Sequence, residues 1–301
     1  MQEPLVYVDG EFMAKSKATV SVFDHGLLYG DGVFEGIRAY NGSVFRLDDH
    51  VRRLYESAKV IRLEVPLTQH EMGEVILETL RKNQLRDAYI RVVLTRGTGD
   101  LSVDPATCRT PTVFVIAEPV QSILGPKEPR VFKLAISSVR RDSVDATSHE
   151  IKSLNYLNSI LAKMEASRVA ADDAIMLDHR GFVSEASATN VFLVKDNRVS
   201  TPSSAAGILH GITRARIIRL CSDLGIEVSE RDITPFDLLT ADEVFLVGTK
   251  AEVVAAGSIN GVKIGTGTAG PVTRKLLQEF SRIVRRPEEG TAIYEAESVN
   301  L

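Results

Sequence analysis

The amino-acid sequence predicts a mixed α/β fold of the α+β type, built as two domains. Short apolar segments with strand-like alternation are separated by turn dipeptides, and longer segments repeat their apolar residues with the period of a helix. A stretch rich in Gly and Pro interrupts the chain near its middle. Because 301 residues exceed what one hydrophobic core usually holds, two domains are expected.

Two β-hairpins are predicted near the start of the chain. Their turn dipeptides are Asp9-Gly10 and Asn41-Gly42, and the second is a preferred sequence for a type I′ turn. The paired strands are expected over residues 5–8 with 11–12, and over residues 34–40 with 43–47.

Helices and further strands complete a first domain over residues 1–120. One helix is expected from an acidic cap at Asp48 or Asp49 to Ile61, and a second from Thr68 to Asn83. Strands over residues 89–95 and 112–117 follow. Arg53 falls on the face of the first helix opposite its apolar stripe, so the pattern alone predicts a solvated arginine.

Residues 121–129, which include Gly125, Pro126 and Pro129, are the predicted interdomain linker. Residues 130–301 then form a second, larger domain. Its expected elements are a strand over 130–137, hairpins that turn at 178–181 and 195–198, a helix from His210 to Gly225, a strand over 243–247 and a helix from Pro271.

The segment from His149 to Arg168 is the strongest candidate for chemistry. Apolar residues at 154, 157, 161 and 164 predict a helix that opens at Ser153 or Asn155 and buries this stripe. Lys152 then lies at the helix entrance, with Tyr156 on the same side. Partial desolvation of the Lys152 amine is expected to favour its neutral, nucleophilic form.

Three other segments carry candidate ligand groups. Gly211-Ile212-Thr213 at a helix N-terminus and Gly248-Thr249 at a strand end both suit a phosphate. Glu185 is either one of many surface carboxylates or the acid that keeps a pyridine nitrogen protonated. Residues 265–270 match the dinucleotide-binding G-x-G-x-x-G pattern, but no βαβ unit follows them, so a turn is expected there.

Composition excludes several functional classes. The net charge of -4 and the lack of a polybasic run argue against nucleic acid or a membrane surface as a partner, which leaves small molecules. Cys108 and Cys221 are far apart, and the histidines lack metal-ligand spacing, so no metal site is expected. The N-terminus does not resemble a signal peptide, and a cytoplasmic location is expected.

Taken together, these segments resemble the fold-type IV, or class IV, aminotransferases that use pyridoxal phosphate, and among them the branched-chain amino acid aminotransferases. The resemblance runs nearly end to end. The landmarks are residues 29–38, the helix with Arg53, residues 151–156, residues 184–192, residues 211–214 and residues 248–249. Six spaced segments in this order are jointly specific.

The resemblance implies a role for each landmark residue. Lys152 is the catalytic residue, which forms the internal aldimine. The residues that bind pyridoxal 5'-phosphate are Arg53, Lys152, Tyr156, Glu185, Ile212, Thr213 and Thr249. The residues that line the substrate pocket are Tyr29, Phe34, Gly36, Arg38, Tyr89 and Arg91. The family completes each active site with a loop from a partner subunit, here Gly99 to Val103, so a homodimer or higher homo-oligomer is expected.

The implied reaction is reversible transfer of the amino group of L-leucine, L-isoleucine or L-valine to 2-oxoglutarate. One pocket must then accept an aliphatic side chain and a carboxylate, for which Arg91 or Arg38 is the candidate partner. The alternatives within the same fold are a D-amino-acid aminotransferase, an (R)-amine transaminase and an aminodeoxychorismate lyase. The loop Arg96-Gly-Thr-Gly-Asp-Leu-Ser102 lacks the histidine of the D-amino-acid enzymes.

Overall fold

The structure is a computed structural model that describes residues 3–120 and 129–294. The described residues group into two compact units. The first contains residues 3–120, 151–155 and 283–294, and the second contains residues 129–150 and 156–282. This division differs from the predicted contiguous domains because the Lys152 segment and the end of the chain belong with the first unit. The predicted linker, apart from Pro129, lies outside the described residues.

The first unit is built on a seven-stranded sheet in which all neighbouring strands are antiparallel. In spatial order the strands are β16, β4, β3, β5, β6, β1 and β2. Their bounds along the chain are β1 (Leu5–Val8), β2 (Glu11–Ala14), β3 (Gly32–Tyr40), β4 (Ser43–Phe45), β5 (Ala88–Thr95), β6 (Thr112–Pro119) and β16 (Gly290–Ala292).

Both predicted hairpins are confirmed. Strand β1 pairs with β2 across Asp9-Gly10, and β3 pairs with β4 across Asn41-Gly42. Asn41 and Gly42 have φ values of 48° and 86°, the left-handed conformation that a type I′ turn requires at both central positions. The turn dipeptides therefore set the register of these strands.

The described residues of the first unit form three α-helices: α1 (His25–Tyr29), α2 (Leu47–Val60) and α3 (Gln69–Lys82). The apolar face of α2, with Leu47, Val51, Leu54 and Ala58, is buried in the same core as Met72, Ile76 and Leu80 of α3. Thr68 caps α3 in a reciprocal capping box with Glu71. The periodicity of the sequence predicts both long helices to within two residues.

The second unit is built on a nine-stranded mixed sheet. Its path is β12, β11, β10, β13, β14, β7, β8, β9, with β15 paired to β14, and the parallel pairs are β11 with β12, β7 with β14, and β7 with β8. The bounds are β7 (Val131–Ile136), β8 (Asp173–Leu177), β9 (Val183–Ala186), β10 (Asn190–Lys195), β11 (Arg198–Thr201), β12 (Val228–Glu230), β13 (Glu243–Gly248), β14 (Glu252–Ile259) and β15 (Val262–Lys263).

The helices of the second unit are α4 (Leu157–Arg168), α5 (Ile212–Asp223), α6 (Pro235–Leu239) and α7 (Pro271–Ile283), which ends in the first unit. The Glu243 carboxylate accepts hydrogen bonds from the backbone N–H groups of Val272 and Thr273, at 2.9 and 2.8 Å, in the first turn of α7. Residues 265–270 form turns, with Gly265 and Gly267 at positive φ, as expected for a sequence that is not a dinucleotide fingerprint.

The prediction for the helix after Lys152 is wrong in two respects. Helix α4 begins at Leu157, because Ser153 is paired with Val33 in a β-bridge and the backbone there is not helical. The buried face of α4 carries Ser159, Ala162 and Ala166, whereas Leu157, Leu161 and Met164 are exposed. Small residues allow close packing against β7 and β8, and this tertiary contact overrides the apolar pattern.

No helix in the described part of the chain is long and apolar enough to span a membrane.

Candidate active site

Five of the predicted substrate residues share one face of the first sheet. Phe34, Gly36 and Arg38 alternate along β3, and the register places Gly36 opposite Arg91 and Arg38 opposite Tyr89 on β5. The Arg91 guanidinium lies 4.4 Å from the centre of the Phe34 ring, and its Nη2 donates to the Tyr89 hydroxyl at 3.3 Å. Strand pairing therefore brings together residues that are far apart in the sequence.

Gly36 provides the space for Tyr89. A Cβ at this position would lie 2.3 Å from the Tyr89 hydroxyl, which is closer than a side chain can approach. The φ of Gly36 is not in the left-handed region, so glycine is needed here for space and not for backbone conformation.

Lys152 belongs to the same unit as these residues. Its carbonyl accepts from the Phe34 N–H at 2.9 Å, and its own N–H donates to Ser57 Oγ of α2 at 3.1 Å. The Nζ atom lies 4.6 Å from the centre of the Phe34 ring. The backbone of Lys152 is thus fixed between β3 and α2, and its amine projects over an aromatic surface.

Tyr29 holds the loop that follows β5. Its hydroxyl donates to the Leu101 carbonyl at 2.6 Å, and His25 Nε2 lies 2.9 Å from the Asp100 carbonyl. A Cβ on Gly99 would lie 2.6 Å from His25 Nε2. The predicted partner loop, Gly99 to Val103, is therefore anchored within its own unit by two side chains of α1.

Arg53 is not the solvated arginine that helix periodicity predicts. Its Nε and Nη2 donate to Glu35 Oε1 and Oε2 at 2.6 and 2.9 Å, a bidentate pair. His50 Nδ1 lies 2.8 Å from Glu35 Oε2. Glu35 and His50 were not predicted, since a carboxylate on an apolar strand and a histidine on a helix carry no local signal of their pairing.

Electrostatics fix the charges of this cluster. Burial would raise the pKa of Glu35, but the charge of Arg53 and the hydrogen bonds outweigh burial and hold that pKa well below its ordinary value. Burial lowers the pKa of His50; the Glu35 carboxylate opposes this effect without cancelling it, and the charges of Arg53 and Lys152 lower the pKa further. The cluster is therefore an ion pair beside a neutral imidazole near neutral pH.

In the second unit, Glu185 is a buried carboxylate rather than a surface one. Its Oε2 accepts from Asn190 Nδ2 at 3.0 Å and from the Leu209 N–H at 3.1 Å. Arg141 Nη2 lies 3.3 Å from Oε1. Such a carboxylate is oriented by fixed donors and suits a cationic ligand atom. Asn190 and Arg141 were not predicted from the sequence.

The two predicted phosphate segments both lie beside one short segment, Thr189-Asn190. A Cβ on Gly211 would lie 2.1 Å from Asn190 Oδ1, and a Cβ on Gly248 would lie 3.1 Å from Thr189 Cγ2. Gly211 caps α5 without a side-chain hydrogen bond, so the first turn of this helix, with Ile212 and the buried Thr213, presents amide N–H groups. Thr249 follows the end of β13.

Tyr156 lies at the N-cap of α4, so it does not share a helix face with Lys152. Its ring packs edge-on against His149, with the ring centres 6.0 Å apart. His149 in turn lies beside Arg141, whose Nη1 is 3.0 Å from His149 Nε2. The phenol therefore belongs to the same cluster of the second unit as Glu185.

The described residues fit pyridoxal phosphate. The second unit offers a helix N-terminus for the phosphate and a buried carboxylate for the pyridine nitrogen. The buried hydroxyl of Thr189, which lies beside Gly248, has no hydrogen-bond partner within residues 3–120 and 129–294, as expected where a polar ligand binds. Across the same residues, no cluster of His, Cys, Asp and Glu is arranged to hold a metal ion.

Comparison with known proteins identifies the family of the chain. The chain matches the family described as amino-transferase class IV over residues 32–259. A Methanocaldococcus jannaschii protein provisionally named branched-chain-amino-acid aminotransferase is 50% identical over 290 residues, 96% of this chain and 99% of that protein. A Bacillus licheniformis D-alanine aminotransferase is 35% identical over 271 residues, 90% of this chain and 94% of that protein.

Among solved structures, a branched-chain amino acid aminotransferase of T.th. complexed with N-(5'-phosphopyridoxyl)-L-glutamate matches with a TM-score of 0.91. The two chains are 40% identical, and the match covers 98% of this chain and 100% of that one. The chain therefore belongs to the class IV aminotransferase family.

Proposed function

We propose that the protein is a branched-chain amino acid aminotransferase that moves the amino group of L-leucine, L-isoleucine or L-valine to 2-oxoglutarate with pyridoxal 5'-phosphate. One observation carries the proposal most directly. The Lys152 amine projects over Phe34, on a sheet face that also holds Gly36, Tyr89 and Arg91. A nucleophilic amine beside an aromatic surface suits carbonyl chemistry on an apolar amino acid.

We propose that the cofactor is held by the residues that the resemblance to the family implies. Lys152 would hold its carbonyl carbon, Glu185 its pyridine nitrogen and Tyr156 its phenolic oxygen. Arg53, Ile212, Thr213 and Thr249 would hold the phosphate. The bidentate pair between Arg53 and Glu35 supports this role, because it fixes the guanidinium in one orientation.

Pyridoxal phosphate, when bound, supplies a carbonyl that combines with amines and a pyridinium ring that accepts the electron pair released at Cα. The neutral amine of Lys152 would be the base that takes the proton from Cα of the amino acid, and its ammonium form would be the acid that gives a proton back. Glu185 keeps the pyridine nitrogen protonated. Tyr156 holds the charge on the phenolic oxygen by donating its hydroxyl proton.

The same sheet face supports the requirement for two kinds of substrate. Phe34 and Tyr89 offer apolar rings to an aliphatic side chain. Arg91 would bind the distal carboxylate of glutamate, since its guanidinium is partly exposed beside those rings, whereas Arg38 is buried against the Tyr40 ring at 4.8 Å.

A homodimer is part of the proposal. Val22, Leu101 and Val103 in the first unit are 69%, 70% and 79% exposed, with Phe23 and Leu27 also exposed nearby in sequence. Exposed apolar side chains of this kind mark an interaction surface, and a second copy of the chain is the proposed occupant. Light scattering on the purified protein tests this: Leu101→Asp with Val103→Asp should halve the mass, and an unchanged oligomer would contradict it.

We also infer a cytoplasmic location, because both cysteines of the chain, Cys108 and Cys221, are free thiols. Burial raises the pKa of Cys221 to about 11, so that thiol is unreactive.

A D-amino-acid aminotransferase is the second candidate, supported by the D-alanine aminotransferase among the relatives. The loop after β5 favours the branched-chain assignment, because residues 96–102 contain no histidine.

One experiment separates the two candidates. The protein reconstituted with pyridoxal phosphate should be yellow, lose its visible absorbance with L-leucine or L-valine, and regain it with 2-oxoglutarate. Bleaching by D-alanine alone would overturn the assignment.

Lys152→Ala should lose the visible band while its circular dichroism spectrum is retained, and turnover of this variant at the wild-type rate would refute the role of Lys152.

A further inference from the structure

Arg141 is a buried cation in the segment between β7 and α4 of the second unit. Only 1% of its side chain is exposed. Its two terminal nitrogens lie within hydrogen-bond distance of His149 Nε2, Asn158 Oδ1, Ser159 Oγ and the Ala186 carbonyl, and Nη2 also lies 3.3 Å from Glu185 Oε1. A guanidinium held by so many acceptors is fixed in position, because moving it would leave several buried groups unpaired.

The first consequence concerns the proton of His149. Arg141 has no acceptor atom, so its Nη1 must donate to His149 Nε2 across their 3.0 Å separation. Nε2 therefore carries no proton, and the single imidazole proton lies on Nδ1. Asp142 Oδ2 is also near Nε2, but at 3.5 Å from a partly exposed side chain it is the weaker neighbour.

The second consequence concerns the charge of Glu185. Arg141 Nη2 lies 3.3 Å from Oε1, and His149 Nδ1 lies 4.0 Å from the same oxygen. Oε2 already accepts from Asn190 and from the Leu209 N–H. The carboxylate is thus surrounded by donors, with the cation and the imidazole proton on the same side.

The third consequence concerns Tyr156. Its ring packs edge-on against His149 at an interplanar angle of 71°. Because Arg141 fixes the orientation of the imidazole, it also fixes one wall of the space that the Tyr156 ring occupies. One guanidinium is therefore in direct contact with Glu185 and, through His149, is linked to Tyr156.

We propose that Arg141 is a positioning residue for the cofactor ring, which holds Glu185 as an oriented carboxylate and, through the Nδ1–H tautomer of His149, sets the place of Tyr156. The proposal rests on the cofactor roles proposed above for Glu185 and Tyr156. In this arrangement the pyridine nitrogen and the phenolic oxygen are controlled by one buried charge. A change at Arg141 alters the electronic state of the bound ring without removing a group that touches it.

The tautomer can be tested on the cofactor-free protein. Nitrogen-15 NMR of histidine-labelled protein, assigned with His149→Gln, should show His149 protonated at Nδ1 and unprotonated at Nε2 at pH 7.5. Arg141→Met should remove this preference. A proton on Nε2 in the wild-type protein would overturn the proposal.

The effect on the ring is tested on the protein loaded with pyridoxal phosphate, by titrating its visible absorbance with pH. Arg141→Met should move the midpoint by about one pH unit. Arg180→Met is the matched control, since Arg180 also binds carboxylates in the second unit, at Asp178 and Asp232, outside this cluster. Its midpoint should stay at the wild-type value.

The outcomes are separable. Wild-type protein that forms no visible band with pyridoxal phosphate contradicts the proposed function. If the wild-type band forms and Arg141→Met titrates like it, only the Arg141 proposal fails. Should Arg141→Met not fold, His149→Gln carries the test: a midpoint shift supports the proposal, and an unchanged midpoint overturns it.

Discussion

Each unit of the molecule contains a buried cluster of one glutamate, one arginine and one histidine, and the two clusters are connected differently. In the first, the Glu35 carboxylate accepts two hydrogen bonds from Arg53, at 2.6 and 2.9 Å, and lies beside His50 Nδ1. In the second, Glu185 is held chiefly by Asn190 and the Leu209 N–H, and Arg141 reaches it with one nitrogen at 3.3 Å.

The difference shows two uses of the same three residue types. A bidentate pair neutralises both partners and fixes them, so the cluster of Glu35 acts through the orientation of Arg53. In the Glu185 carboxylate only Oε1 lies beside a cation, Arg141, while Oε2 accepts from uncharged donors, so more of the negative charge is available to a cationic atom of a ligand. The first cluster should therefore matter most for stability and the second most for reactivity.

The largest effect is expected at Glu35. Glu35→Gln leaves the Arg53 charge buried without its counter-ion, and the free energy of unfolding should fall by about 3 kcal/mol, measured by urea denaturation. The control is Glu118→Gln, which breaks the exposed pair with Lys15 and should cost less than about 0.5 kcal/mol. Equal losses in the two variants would show that the buried pair of Glu35 and Arg53 stabilises the fold no more than an exposed pair does.

A smaller loss of stability but a larger loss of rate is expected at Glu185. Glu185→Gln keeps an acceptor for Asn190 and Leu209, so unfolding should change by about 1 kcal/mol. The loss of the negative charge should lower the transamination rate about 100-fold while pyridoxal phosphate remains bound. Release of the cofactor with no change in the rate of the remaining loaded protein would make Glu185 a structural carboxylate only.

The smallest effect is a pH dependence from His50. Its pKa is lowered in the folded protein, so below the ordinary histidine pKa the unfolded chain binds a proton that the folded chain does not. The contribution of His50 to the free energy of unfolding is fully present above about pH 6.5. It falls by roughly 1 kcal/mol per pH unit as the pH drops below that value. His50→Gln should flatten this part of the stability curve. A variant with the wild-type slope would show that His50 titrates normally.

The parts of the fold that sequence predicts are those with local causes. Asn41-Gly42 specifies its hairpin through backbone conformation, and α2 and α3 follow from apolar spacing and a capping box. The Glu35 and Arg53 pair joins a strand to a helix further along the chain, and Arg141 meets Glu185 from a separate segment of the second unit. Neither pair leaves a local pattern in the sequence, so long-range pairing of this kind is visible only in the structure.

A tertiary contact is also the reason that the prediction for α4 is wrong. Its apolar stripe at Leu157, Leu161 and Met164 satisfies every local rule for a buried face, yet Ala162 and Ala166 are the residues that face the sheet. Periodicity identifies an apolar face but does not say what covers it. The site residues themselves were found by resemblance to a family, because spacing alone left Lys152 one lysine among many.

The short segment 151–155 has a consequence for how the protein can be divided. The chain leaves the second unit, contributes residues 151–155 to the first, and returns, so Lys152, the proposed catalytic lysine, is encoded in the middle of the other unit. A gene fragment that ends at residue 120 would therefore make a first unit that lacks Lys152. Any split-protein or domain-exchange scheme for this enzyme has to transfer at least two separate pieces of sequence together.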